Sequence, residues 1–510
     1  MAKKAKEKGT KRDAGEAAVE ASCDLEGPAQ PPATPGFAGM VDAVRTSRYL
    51  QVLLLLTLLG AFLRLYQLGT ASLWLDEAST LTFARRSLVE IWGSLSGGEF
   101  NPPLFYWAEH AMLALGESEL VLRLIPALLG ILTIPVFYLI GTELKDRNTG
   151  ILAAALLAFS PFQIYYSQEA RAYAPMLFFY SLAFWFFLRL LRTWSRRDAL
   201  LFGILAAAAF WTHFYAFVPV LALLLFALGL KAGEMARDLR KAIPLGISLA
   251  AFVLLCLPLI YHAVQLFLAR TGGAPAFGVQ GIETITQTFV QISGFSGILA
   301  WVFLALFIVG VAALWPRDRV KALLLVFALA FPLLLSVFLS YRMPMVPRYL
   351  IYLLAAFLPG VALALRPLCP FVRSRNLVYG AIVLALVINL PVLVPYYTTP
   401  QKDDWRGLSQ ELAGSAGAGD LVVALPGYLR QPLSYYYRNE TAGTLVYGFS
   451  RVGDIEALVA AYPGRGIWFV VTGDIQAADP QGQVVPWLGQ HTRVVWRDAN
   501  GGIILLKYSG

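Results

Sequence analysis

Apolar stretches of about 20 residues recur along most of this chain, and no other feature restricts its folding as strongly. Each can cross a hydrocarbon layer of roughly 30 Å as a helix. The pattern predicts membrane-spanning helices. The stretches lie near 48–67, 120–141, 149–166, 172–191, 199–212, 214–230, 242–262, 297–315, 321–341, 349–366 and 376–396, about eleven spans. Of the 510 residues 58% are hydrophobic and 14% charged. An ordinary soluble domain carries roughly 25% charge, so a soluble protein of this size is excluded.

The two ends differ from this middle. Residues 1–47 open with MAKKAKEKGTKR and continue through Gly, Ala, Pro and acidic residues, a composition expected to be disordered. The segment is too long and polar for the n-region of a cleaved signal, so the first apolar run is read as a retained span behind a basic cytoplasmic tail. From 398 to 510 the composition turns ordinary. The runs DLVVALP, GIWFVVTG, TRVVWRD and GIILLKY alternate with polar turns and one helical stretch near 454–462, predicting a small α/β domain. The expectation is therefore a mainly α polytopic membrane protein, with a membrane domain at 48–397 and a soluble domain at 398–510.

Charge placement assigns the sides. The segment from Pro103 to Gly116, about 14 residues with Glu109 and His110, is too short to span and is read as interfacial. With it excluded, Lys145 and Arg147, Arg192, Arg196 and Arg197, Lys231, Arg237, Arg240 and Lys241, Arg317 and Arg319, and Arg373 and Arg375 all fall in cytoplasmic loops. The amino terminus is then inside and the C-terminal domain outside, across a plasma membrane. The net charge of +9 reflects this bias and not a nucleic-acid surface. Three cysteines, at 23, 256 and 369, offer no disulfide framework.

Polar groups gather on the outer side. LWLDEAST places Asp76 and Glu77 just past the first span, and EFNPPLFYW carries Asn101 ahead of paired prolines that fix an extended turn. SPFQIYYSQEARAYAP brings Gln168, Glu169, Arg171 and Tyr173 to the same surface, with His213, His262, Arg342 and Arg348 at later span ends. Arginines suit an anionic phosphate, and a carboxylate can accept a proton from a hydroxyl. There is no P-loop, no GxGxxG after a strand and no HExxH.

In their order, LWLDEAST, NPPLFYW, SELVLRLIPALLGILTIPVFYLIG, SPFQIYYSQEARAYA, THFYAF, VPRYLIY and QKDDWRGLSQEL resemble the GT-C membrane glycosyltransferases, in the branch similar to protein O-mannosyltransferases and aminoarabinose transferases. The resemblance implies an inverting enzyme that moves one sugar, a mannose-like hexose, from a polyprenyl-phosphate donor to an outer-face acceptor, which is a protein, a glycolipid or a polysaccharide. It implies Asp76 as general base with Glu77 beside it, and Arg171 and Arg348 at the donor phosphate. Glu169, His213, His262, Asn101 and Tyr173 would line the site. One departure is Asn101, which stands where aminoarabinose transferases place a lysine.

Other readings of the same residues are structural. Asp76 suits a helix N-cap before EASTLTFARR, Glu77 is ordinary first-turn charge, and Arg348 fits an interfacial anchor. Glu169 and Arg171 could simply pair with each other. His213 or His262 with Glu77 or Glu109 would supply nitrogen and oxygen ligands for a divalent metal, although no spacing demands one. A lipid-linked-sugar transporter or flippase is the rival function, predicting internal repeats and ionisable groups near the bilayer midplane.

Overall fold

A computed structural model of the chain describes residues 42, 44–97, 99, 101–275, 277–364, 374–437, 445–449, 451–472, 479, 482–499 and 502–509. The expected disordered tail at 1–47 lies almost wholly outside them. The chain forms two units, Met1–Gln51 and Val52–Gly510. In the first, the described residues start a helix in which Thr46 Oγ1 donates to the Asp42 carbonyl at 2.8 Å. Everything below concerns the second.

Among the described residues, eight helices are long and apolar enough to cross a membrane, and ten if two bent pairs each count as one span. They are Arg48–Leu65, Glu119–Leu144, Tyr173–Thr193, Phe214–Arg237, Leu239–Thr271, Gly297–Leu314, Arg319–Leu339 and Pro347–Ala364. The eleventh expected span, 199–212, is the helix Arg196–Thr212, whose 17 residues leave it slightly short of the others. It packs between Tyr173–Thr193 and Ile243–Thr271. Every residue of Leu354–Ala364 is buried, so this helix lies within the bundle. Helices Gly297–Leu314 and Leu354–Ala364 meet so closely that a Cβ at Gly310 would strike the Gly360 carbonyl.

The expected straight span 149–166 is broken. Arg147–Ala158 and Pro161–Ser167 meet at 60°. Pro161 cannot continue the preceding helix because it lacks an N–H and its ring crowds the previous turn. The carbonyls released at the break are taken by Arg64, buried in the first span, which donates to Leu157 O and Ala158 O at 3.0 Å each and to the Gln163 side chain. Val378–Val387 and Leu390–Thr398 form the second bent pair, at 43°.

Three short helices, Leu75–Ala84, Leu88–Gly93 and Pro103–Met112, fill the connection between the first two spans. At the same end of the bundle sits a five-stranded sheet: β1 (Leu421–Leu425), β2 (Leu445–Gly448), β3 (Ile467–Thr472), β4 (Thr492–Arg497) and β5 (Ile503–Tyr508), in the order β2-β1-β3-β5-β4. β1 runs parallel to β2 and β3, whereas β5 is antiparallel to β3 and β4. Both faces are covered. Trp405, Leu408, Leu412 and Leu433 pack on Val422, Ala424 and Trp468, while Ile455, Leu458, Val484 and Leu488 pack on Leu421, Val423 and Phe469. Burial on both faces explains the near-continuous apolar runs of β1 and β3.

The sheet is fastened to the bundle by polar contacts. Tyr436 accepts from Leu73 N at 2.7 Å and donates to Glu119 at 2.7 Å, and Arg406 donates to Glu119 at 2.5 Å and to Thr70 O at 3.1 Å. These contacts hold down the turn that precedes Asp76.

Candidate active site

Helix Leu75–Ala84 begins after Trp74, so Asp76 sits within its first turn and its carboxylate is not used as an N-cap. Two carboxylates in that first turn are favoured by the positive end of the helix dipole. Consecutive helical residues point about 100° apart, and Asp76 and Glu77 accordingly enter different surroundings.

Asp76 meets the two arginines. Arg348 Nη2 lies 3.7 Å and Arg171 Nε 4.0 Å from Asp76 Oδ2. Arg171 Nη1 also donates to the Asp76 carbonyl at 3.2 Å, fixing the arginine to the helix itself. The Asp76 side chain keeps 27% of its exposure, so a ligand can reach it. The Arg348 guanidinium lies over the rings of Trp74, Tyr173 and Tyr349, with 5.6, 5.9 and 5.9 Å to their centroids. Around it, Arg348 Nε, Trp74 Nε1 and the Tyr173 hydroxyl are buried donors without an acceptor. Leaving a buried donor unpaired costs about 1–3 kcal/mol, so the arrangement favours an incoming acceptor-rich anion.

Glu77 is completely buried and saturated. Arg123 Nε donates to its Oε1 at 2.8 Å and Nη2 to its Oε2 at 2.7 Å, Lys402 Nζ donates at 2.9 Å, and Ala170 N–H at 2.9 Å. Burial alone would raise its pKa, but the charges of Arg123 and Lys402 and these hydrogen bonds hold it at about 2. Burial lowers the Lys402 ammonium against the opposing pull of Glu77. Arg123 also donates to the carbonyls of Leu68, Ala71 and Ser72, so a single guanidinium organises the turn leading to Asp76.

Glu169 and Arg171 do not pair with each other. Glu169 is buried with neither carboxylate oxygen hydrogen-bonded. Burial pushes its pKa up to about 7, with Lys402 opposing and Glu77 adding to the rise. Glu109 is likewise buried without partners, and burial, then the Glu77 charge, hold it well above the usual range.

His213 follows helix Arg196–Thr212, and its Nδ1 accepts from Tyr215 N at 3.2 Å. It packs 5.7 Å from the Tyr173 ring and 5.3 Å from Tyr349. Burial and the charges of Arg171 and Arg348 lower its pKa to about 3, making it a neutral wall of the site. His262 is edge-on to Trp92 at 5.5 Å, in a cluster with Trp107 and Trp211. Asn101 donates to Glu99 at 3.1 Å, as does the Tyr106 hydroxyl at 2.8 Å. Among the described residues no three His, Cys, Asp or Glu side chains come together to hold a metal ion.

Trp74, Arg123 and Lys402 were missed by sequence reasoning. Arg123 and Lys402 were visible only as charges beside apolar spans, in SELVLRLIP and QKDDW, with nothing local to name their partner.

Several apolar spans, short helices beside a charged cluster and a sheet at the same end make up a GT-C-like fold. Residues 101–262 match the family described as dolichyl-phosphate-mannose-protein mannosyltransferase, a stretch that includes Arg123, Glu169, Arg171 and His213 and stops short of Arg348. Among solved structures, the chain is similar to ArnT from Cupriavidus metallidurans in the apo state, at 14% identity and TM-score 0.59, covering 92% of this chain and 98% of that one. The same enzyme bound to undecaprenyl phosphate matches at 14% identity and TM-score 0.56 over the same shares. The oligosaccharyltransferase of Archaeoglobus fulgidus in its apo form matches at 13% identity and TM-score 0.54, covering 90% and 74%. No curated protein matches in sequence. The fold expected from the ordered motifs is thus the fold found, and the protein is a multi-pass membrane protein.

Proposed function

We propose that this protein is an inverting glycosyltransferase that takes one sugar, a mannose-like hexose, from a polyprenyl-phosphate donor. The reading rests on Asp76, a partly exposed carboxylate flanked by Arg348 and Arg171 at 3.7 and 4.0 Å beside three buried donors without acceptors. A phosphate among those donors would place the anomeric carbon near Asp76. The acceptor hydroxyl attacks that carbon, the bond from carbon to phosphate oxygen breaks, and its electron pair leaves with the polyprenyl phosphate. The hydroxyl proton passes to Asp76. Arg171 and Arg348 stabilise the departing charge from fixed positions, which spares the reorganisation that water would need. Glu77 acts as a positioning residue, tying Asp76, the Glu169–Arg171 turn and Lys402 together.

The match to the mannosyltransferase family supports the hexose, and undecaprenyl phosphate in the similar ArnT supports the carrier. The basic loops support an outer-face site on the plasma membrane, with the amino terminus inside, residues 48–397 as the membrane domain and 398–510 outside. The acceptor is a protein, a glycolipid or a polysaccharide.

The test is transfer of labelled sugar from a panel of polyprenyl-phosphate monosaccharides in proteoliposomes. Turnover with one donor that disappears in a folded Asp76→Asn protein is the expected result. Full activity in that variant overturns the assigned base, and labelled lipid crossing the bilayer without transfer makes the protein a flippase.

A further inference from the structure

Where the sheet meets the bundle there is a cavity of about 620 Å³, bordered by Gln401, Lys402, Asp403, Tyr165, Trp496 and Asp498. Small-molecule sites commonly enclose ~300–1,000 Å³. Lys402 stands at the border with the candidate active site, since its ammonium is bound to Glu77 at 2.9 Å. The cavity therefore adjoins the Asp76 site, with the Lys402–Glu77 pair at the border between them.

Its lining mixes both charges, with Arg123, Lys402 and Arg497 beside Asp403, Asp404 and Asp498. Asp498 is only 4% exposed, and its Oδ2 has no hydrogen-bond partner among the described residues. Asp403 stands nearby. Burial and the Asp498 charge raise its pKa, and a Cβ at Gly502 would collide with its carboxylate, so Gly502 is pressed against it. Two neighbouring carboxylates call for O–H or N–H donors. Tyr165 and Trp496 add aromatic surface, apolar in body and polar at the edge. Densely placed acceptors beside aromatic rings fit a ring carrying several hydroxyl or amino groups.

We propose that this cavity binds a saccharide, neutral or amino-substituted, as the recognised part of the acceptor. The inference rests on the transferase reading above, and it places acceptor recognition at the sheet while the donor phosphate is held by Arg171 and Arg348.

The full chain in nanodiscs is tested against an array of neutral, amino and anionic oligosaccharides, vesicles carrying the same glycans on lipid anchors, and unglycosylated peptides. Undecaprenyl phosphate binding is measured in parallel. Neutral or amino glycans should be retained, with affinity at least tenfold lower in Asp498→Asn and in Asp403→Asn. Both variants ease carboxylate repulsion and should stay folded. Arg348→Ala should keep glycan binding while losing the lipid phosphate. Retention of free glycans indicates a polymer or glycoprotein source, and retention on vesicles alone a glycolipid. Glycans bound equally by wild type and both variants, peptides bound in their place, or a melting shift with Ca²⁺ alone would overturn the assignment. If lipid phosphate binds and no glycan does, the cavity assignment fails while the transferase reading survives. If glycans bind and lipid phosphate does not, the transferase reading fails.

Discussion

Lys402 and Glu77 are 325 residues apart in the chain, and Lys402 Nζ donates to Glu77 Oε2 at 2.9 Å. Arg123 completes the pairing from the second span, at 2.7 Å. Removing one member of a buried network leaves the others uncompensated, at a cost of about 3–5 kcal/mol. Glu77→Gln should therefore lower the unfolding temperature markedly as well as reduce transfer. The pH dependence has a definite sign. The folded pKa of about 2 lies below the usual 4.5, so Glu77 stabilises fully above 4.5 and loses that contribution as pH falls towards 2. Scanning calorimetry of wild type and Glu77→Gln across that window should show their difference shrinking in acid; a constant difference would remove Glu77 as its source.

Arg348 and Arg171 should govern the lipid phosphate. A hydrogen bond to a charged group contributes ~1.5–3 kcal/mol, so either alanine variant should weaken undecaprenyl phosphate binding by about 10–100-fold. Arg348→Lys should recover only part of this, because an ammonium lacks the planar fork and the stacking over Trp74 and Tyr173. Native mass spectrometry in nanodiscs reads both outcomes, and unchanged binding in Arg348→Ala would place the phosphate elsewhere.

Glu169 gives the opposite pH sign. Its folded pKa of about 7 lies above the usual 4.5, so folding retains its proton. Its stabilising contribution is complete below 4.5 and is lost as pH rises through 7. Glu169→Gln stays neutral throughout. Its unfolding temperature should match wild type near pH 4.5 and exceed it above pH 7, and parallel profiles would show that Glu169 does not titrate there.

Tyr436 joins the sheet to the bundle through Leu73 N and Glu119. Tyr436→Phe leaves a backbone donor unpaired, a loss of about 1–3 kcal/mol. Hydrogen exchange at the Leu73 amide should accelerate with the sheet otherwise unchanged, and equal protection in the variant would show that the contact carries no stability.

Much of the architecture was legible because a span announces itself: twenty apolar residues have few other stable arrangements. The strands β1, β3, β4 and β5 were visible as separate runs, whereas β2, only Leu445–Gly448, is too short to stand out. The meeting of Asp76, Arg171 and Arg348 was implied by ordered motifs. The Glu77 network was not legible, because Arg123 and Lys402 reach it through tertiary packing that no local pattern encodes. The 60° break at Pro161 was equally hidden, since the guanidinium that stabilises it comes from another helix. His262 looked like its neighbours in sequence, and its helix carries it to the Trp92 ring.

That guanidinium also sets a problem of timing. Arg64 precedes Leu157 by 93 residues and Gln163 by 99, so during synthesis the first span is finished before any of those acceptors has left the ribosome. Until then the guanidinium has only the Gly60 carbonyl of its own span, at 2.9 Å, and an arginine short of partners is costly in hydrocarbon, so the first span is expected to settle fully only when the broken helix arrives. Biogenesis of this protein should then show a checkpoint at about its third span, and Arg64→Leu should let the first span settle early.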